Sequence, residues 1–246
     1  MDLSAPLINS KVKVIAKVVP LLPGNFASTT SNSISCITCI GGCDGSGEVT
    51  IQLKDPNSGR NEFYQFDSFY SQDNGINLIF EQEFEPLIHG VFLGSKASVF
   101  TYGANDSGKL FKLEGTGEVT GLMSLIMSKI LSLSEVKKSV LNISYYEVYM
   151  EKCYDMLGEE RKEISILDDI EGRIHLKGLH SVEIKSIAEF NNVLSQSLQR
   201  RKTALMAINE VPIRSHTVLA INVSTNHFDQ TATLFGKLNI VDLAGT

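Results

Sequence analysis

Apolar and polar residues alternate from Lys11 to Val19 (KVKVIAKVV), with Val12, Val14, Ala16 and Val18 in phase. A period of two is that of a half-buried strand, and Pro20 and Pro23 end it. Residues 24–33 form a Ser/Thr/Asn loop, followed by short β-rich runs at 34–40, 48–53 and 62–70 between Gly/Asp/Asn/Pro turns. From Leu78 to Leu93 the period lengthens: Ile79, Leu87, Ile88, Val91 and Phe92 fall at helical spacing. Pro86 lies inside that run, so the helix is expected to kink there or to start near it. Ala97–Tyr102 (ASVFTY) is a short β-prone run meeting a Gly-rich turn, and 121–133 is expected to be helical. Val140–Tyr149 (VLNISYYEVY) predicts a strand, with smaller strands at 163–167, 173–176 and 181–184. Ala188–Ala207 places Phe190, Val193, Leu194 and Leu198 on one helical face. His216–Ser224 and Leu238–Leu243 are apolar, strand-like runs.

No repeat or linker divides this pattern, and 246 residues with 43% apolar content suffice for one sizeable core. A single α/β domain is expected, with phosphate chemistry at the strand ends. The net charge of −6 argues against a general nucleic-acid binder, which carries a basic face. No apolar run reaches 18 residues, so no membrane helix is expected. The N-terminus (MDLSAPLINSKVKV) lacks the pattern of a secretory signal, and four cysteines without one point to a reduced, intracellular protein.

The candidate chemistry centres on Gly103-Ala104-Asn105-Asp106-Ser107-Gly108-Lys109-Leu110, a GxxxxGK run after a strand and before a helix. Successive backbone N–H groups in such a loop form a cradle for phosphate oxygens. The following helix adds its positive N-terminus, and Lys109 supplies an ammonium near the β- and γ-phosphates. Two residues fit this poorly. The last position should carry a hydroxyl for Mg²⁺, and Leu110 has none. Asp106 puts a carboxylate where phosphate should sit; at about 5 Å and an effective dielectric of about 20, two such charges repel by on the order of 3 kcal/mol. On this motif alone, an ordinary Gly-rich turn competes as a reading.

Other clusters read as structural. Cys36, Cys39 and Cys43 give C-x₂-C-x₃-C, one ligand short of a zinc site, so no metal site is assigned. Glu147, Glu151 and Asp155 are expected to be solvated charges. The short basic clusters Lys137-Lys138 and Arg200-Arg201-Lys202 are expected on solvated faces.

Four segments, in order, resemble the kinesin motor domain family. VFTYGANDSGKL is similar to the family's strand ending in Tyr-Gly and running into Gln-Thr-Gly-Ser-Gly-Lys-Thr. Asn142–Leu157 (NISYYEVYMEKCYDML) is similar to Ser-Tyr-x-Glu-Ile-Tyr-x-Glu-x-x-x-Asp-Leu-Leu. Asn209–His216 resembles switch I, Asn-x-x-Ser-Ser-Arg-Ser-His, and Leu238–Gly245 resembles switch II. The segment 172–186 and the run YQFDSFY resemble the chromosome-associated (Kid-like) kinesins.

The resemblance implies a P-loop α/β fold, a central mixed sheet flanked by helices, with residues 1–246 a partial motor domain lacking its C-terminal part. It implies ATP and Mg²⁺ as cofactors, microtubules as partner, and a cytoplasmic, cytoskeletal location. Carried over by position, Asp242 serves the Mg²⁺ shell through water and the Gly245 N–H senses the γ-phosphate. Arg214 is the switch I arginine. Phe80 falls where an aromatic lies near adenine; a core Phe is the competing reading. Pro20 closes the base-binding strand.

The departures are also specific. Arg-x-Arg-Pro is replaced by Lys17-Val-Val-Pro20, and the two switch I serines by Pro212 and Ile213. With Leu110, three hydroxyls are missing around the metal, so Mg²⁺ binding is expected to be weak or lost and hydrolysis impaired. The glutamate that follows the switch II glycine in the family has no counterpart before Thr246. The alternative is a non-catalytic, degenerate motor head serving as an interaction module. A GTPase-like switch is disfavoured, because no Asn-Lys-x-Asp motif is present. A strand that inserts beside the phosphate-loop strand in the family lies beyond the four motifs. The isolated chain is therefore expected to leave that strand with an open edge, to be marginally stable and to bind microtubules weakly.

Overall fold

A computed structural model of the chain describes residues 12–19, 36–41, 48–55, 58–103, 121–207, 215–226 and 233–245. Two compact units divide it, Met1–Gly75 and Ile76–Thr246.

In the first unit the alternating run at 11–19 contributes β1 (Ile15–Lys17), paired in parallel with β5 (Ser68–Tyr70). Asp67 closes this pairing, its carboxylate accepting Val14 N–H at 2.7 Å while its own N–H reaches Val14 O. The Lys17 ammonium caps the turn after β5, donating to Ser71 O and Asn74 O. Burial pulls the Lys17 pKa below its ordinary value, against the opposing pull of Asp73. A second, antiparallel sheet holds β2 (Ile37–Gly41), β3 (Val49–Lys54) and β4 (Asn61–Phe66). Cys39 is disulfide-bonded, a correction to the expectation of four reduced thiols.

The second unit opens on a helical run from Ile76 to Val91. It comprises α1 (Ile76–Ile79), a π-helical turn (Phe80–Phe84) and α2 (Glu85–Val91). Pro86 explains the irregularity. It has no N–H to donate and its ring crowds the carbonyl four residues back; the wide turn bonds Glu85 N–H to Phe80 O instead, and Pro86 becomes an N-terminal residue of α2.

The second unit also holds an eight-stranded mixed sheet. Its strands are β6 (Lys96–Thr101), β7 (Val140–Tyr149), β8 (Lys152–Asp155), β9 (Lys162–Asp168), β10 (Ile174–Lys177), β11 (Val182–Glu183), β12 (His216–Asn226) and β13 (Thr233–Asp242). The order is β10-β9-β8-β7-β12-β13-β6, with β11 beside β7. All pairs are antiparallel except β13 with β6. β8, absent from the sequence reading, is created by a tight hairpin in which Met150 and Glu151 both take positive φ (46° and 62°).

One face of this sheet is the core. Leu141, Ile143 and Tyr145 of β7, Leu219, Ile221 and Val223 of β12, and Leu238 and Ile240 of β13 are all at most 2% exposed. Against them pack α2, α3 (Leu122–Lys137) and α4 (Ile187–Ala207), through Ile88, Ile126, Ile130 and Phe190 among others. Each such side chain stabilises the fold by about 1.5–3 kcal/mol relative to exposure. α3 stops at Lys138, which enters the left-handed region (φ 52°) and lets Ser139 N–H close on Ser134 O. α4 starts on a reciprocal cap: Ser186 Oγ accepts Glu189 N–H, and the Glu189 carboxylate accepts Lys185 N–H.

The opposite face carries Phe100 (62% exposed) and Phe235 (66%). Among the described residues no strand pairs with β6 on the side away from β13.

Gly236 in β13 faces α2. A Cβ there would stand 1.8 Å from Val91 O, a contact with backbone that no side-chain rotation can relieve. Gly236→Ala is expected to destabilise the chain by about 3 kcal/mol, the upper end for overpacking, read as a lowered urea midpoint.

Candidate functional site

The parallel pair β6–β13 brings two distant segments to one sheet end. Asp242 is in register with Thr101, and Leu243 N–H continues the ladder to Thr101 O at 3.2 Å. Thr101 Oγ1 lies 3.0 Å from Asp242 Oδ1 and 3.3 Å from Val241 O. The hydroxyl thus donates toward a carboxylate that is 8% exposed. Two residues on, Gly103 has φ 155°, a value that favours glycine, and from it the chain enters the GxxxxGK run. The Asp242 carboxylate and the residue that opens the GxxxxGK run therefore lie at the carboxyl ends of two neighbouring parallel strands, where open α/β sheets bind ligands.

A third segment joins them. β12 begins at His216, whose Nδ1 accepts Ala244 N–H at 2.9 Å, tying the start of β12 to the residue before Gly245. Gly245 is the last described residue. Ala104, Asn105, Asp106, Ser107, Gly108, Lys109, Leu110, Pro20 and Arg214 lie outside the described residues, as do Pro212 and Ile213. Phe80 is described: it opens the π-helical turn, is 9% exposed and belongs to the core with Phe84 and Ile88. Packing accounts for its ring without a ligand.

The expectation of solvated acidic and basic residues is corrected at three positions. Glu147 is wholly buried. Its Oε2 accepts Arg161 Nε at 2.9 Å and its Oε1 accepts Arg201 Nε at 3.0 Å. Arg201, 8% exposed, also donates from Nη2 to Ser215 Oγ at 2.8 Å. The Arg161 guanidinium lies 3.7 Å from the Tyr154 ring centre. Asp155 is buried too, accepting Gly158 N–H at 2.7 Å and pairing with His180 Nδ1 at 2.7 Å. A strand-parity signal for Glu147 was in the sequence: it shares the inward phase of Ile143 and Tyr145. Nothing comparable marked Thr101 or Ser215.

Among the described residues no group of three or more His, Cys, Asp or Glu could hold a metal, and no helix is long and apolar enough to cross a membrane.

Because Glu147 compensates two guanidiniums, removing it strands both. Glu147→Ala is expected to cost on the order of 3–5 kcal/mol, measured by chemical denaturation.

Comparison with known proteins gives this geometry a context. The pattern of the family described as "Kinesin motor domain" matches residues 20–246. The Arabidopsis thaliana "Kinesin-like protein KIN-10B" is 45% identical over 96% of this chain, covering 37% of its own length. "Kinesin-like protein KIN-10C" of Oryza sativa subsp. japonica is 42% identical over 100% of this chain and 40% of its own. The chain thus spans well under half the length of these relatives. In fold it is similar to the motor domain of the Kar3-like kinesin from Ashbya gossypii, with a TM-score of 0.76 at 22% identity over 95% of this chain and 70% of that one. With the family pattern running from residue 20 to residue 246 and the fold reproduced, this chain belongs to the kinesin motor domain family.

Proposed function

We propose that residues 1–246 form part of a motor head that binds ATP by its phosphates. In the whole protein, hydrolysis would be coupled to movement along microtubules, with turnover in this chain impaired. One observation carries the reading: Asp242 and Thr101, 141 positions apart, are hydrogen-bonded at the strand end from which the GxxxxGK run departs. The family kinship supports the microtubule partner and a cytoskeletal location.

The residues fit the two halves of the ligand unequally. Glycines at 103 and 108, successive backbone N–H groups and the Lys109 ammonium suit a triphosphate. A magnesium ion would lower the charge on the γ-phosphate when bound. Leu110, Pro212 and Ile213 offer it no hydroxyl, and the Asp242 carboxylate already accepts the Thr101 hydroxyl. Lys109 neutralises phosphate charge, the Gly245 N–H is the candidate sensor of the γ-phosphate, and Arg214 is the candidate cation of switch I. Roles for Phe80 and Pro20 at the base, and the chromosome-associated subgroup, rest on resemblance alone.

The three missing hydroxyls favour a second reading, a non-catalytic head that serves as an interaction module. ATP turnover with and without microtubules separates the two. Stimulated turnover supports the motor; none, with nucleotide still bound, supports the module.

Two binding measurements follow. Calorimetry is expected to give weak ATP binding that changes little when Mg²⁺ is withdrawn; tight, strongly Mg²⁺-dependent binding contradicts the site as read. Asp106→Gly removes a charge opposed to phosphate and is expected to tighten ATP binding by roughly three- to tenfold, part of the Coulomb repulsion surviving solvent screening. Unchanged affinity would mean that the carboxylate points to solvent.

A further inference from the structure

The Glu147 cluster holds one wholly buried carboxylate between two guanidiniums. Such a cluster is a weak source of net stability. Its geometry is more informative than its energy. Arg201 lies in the C-terminal half of α4, the helix that leads into the switch I segment, and Glu147 lies on β7. Ser215, 3% exposed, is the residue immediately before β12. A guanidinium can serve two partners at fixed angles from one planar fork. Arg201 does so, with Nε on Glu147 and Nη2 on Ser215 Oγ. The next residue, His216, accepts Ala244 N–H in the switch II segment. A continuous path therefore runs from the buried Glu147 through Arg201, Ser215 and His216 to Ala244, two residues beyond Asp242.

We propose that Arg201 is a positioning residue: locked by Glu147, it fixes Ser215 and so sets His216 against Ala244, holding the switch I and switch II strand ends in register with each other. As a role in hydrolysis this rests on the motor reading above; as a structural coupling it does not. A lysine at 201 could keep the ion pair with Glu147. With a single nitrogen, it could not serve Ser215 in the same geometry.

The test is a double-mutant cycle on the full chain with Ser215→Ala and Arg201→Lys, read by amide exchange at Ala244. Ser215→Ala is expected to speed that exchange about fivefold, the size of one lost hydrogen bond. In the Arg201→Lys background it should add nothing. Ser215→Thr, which keeps the hydroxyl, should restore slow exchange, and this arm decides if Arg201→Lys does not fold. Exchange in α3 should stay unchanged. Where ATP is turned over, Ser215→Ala should lower kcat by a similar factor and leave KM in place. Equal acceleration in both backgrounds, a change below twofold, or a Ser215→Thr variant that behaves like Ser215→Ala overturns the proposal. Absence of turnover in the unmodified chain defeats the motor reading, and the exchange cycle still decides the coupling.

Discussion

The register of β13 is the constraint on which the rest of this structure depends. That strand pairs antiparallel with β12 along its whole length and parallel with β6. It is pinned at both ends on the same face. Near its start Gly236 lies under Val91 O, where only a hydrogen fits; at its end Asp242 meets Thr101. Slipping β13 by one residue would flip every side chain to the other face. Phe235 or Lys237 would then press on α2, and Val241 or Leu243 would take the place of the carboxylate. Helix packing and candidate chemistry are thus fixed by one strand, and neither can drift without the other.

The second organising feature is charge held inside the sheet layer. Glu147 and Asp155 sit with no exposed side-chain surface, and each has its oxygens occupied. The partners come from several segments: Arg161 and His180 follow β8, Arg201 lies on α4, and Gly158, three positions from Asp155, supplies a backbone N–H. Apolar residues of similar volume could stabilise the same spaces as well or better. What they could not supply is direction. The bonds from Arg201 specify an angle between α4, β7 and the start of β12 that packing alone would leave looser.

Much of this was legible in the sequence, for identifiable reasons. Strand β7 matches its expected bounds because ten residues of β-branched and aromatic character carry a strong local signal. α4 was legible from one apolar face, and its Ser186–Glu189 cap agrees with it. A kink or a helix start near Pro86 was expected, but the π-helical turn before α2 depends on how Phe80 and Phe84 pack into the core. β8 was missed because Lys-Cys-Tyr-Asp has little strand character of its own; the hairpin with β7 confers it. The carboxylates were misread because their charged partners are brought to them by the fold. Arg201 is 54 positions from Glu147, a distance no periodicity spans. The strand-end position of Asp242 was implied by resemblance, whereas Thr101 came into view only through the parallel pairing.

That pairing also dictates an order of events as the chain is made. Antiparallel neighbours such as β7 and β8 can meet almost as soon as they leave the ribosome. β6 cannot, because the only strand described as pairing with it ends 141 residues after Thr101. At ordinary synthesis rates the wait is roughly 10–30 s. Throughout it a strand bearing Val99 and Phe100 lacks the partner described for it. The segment that opens the GxxxxGK run is thus among the first parts of this unit to be synthesised and among the last to meet the strand described as its partner.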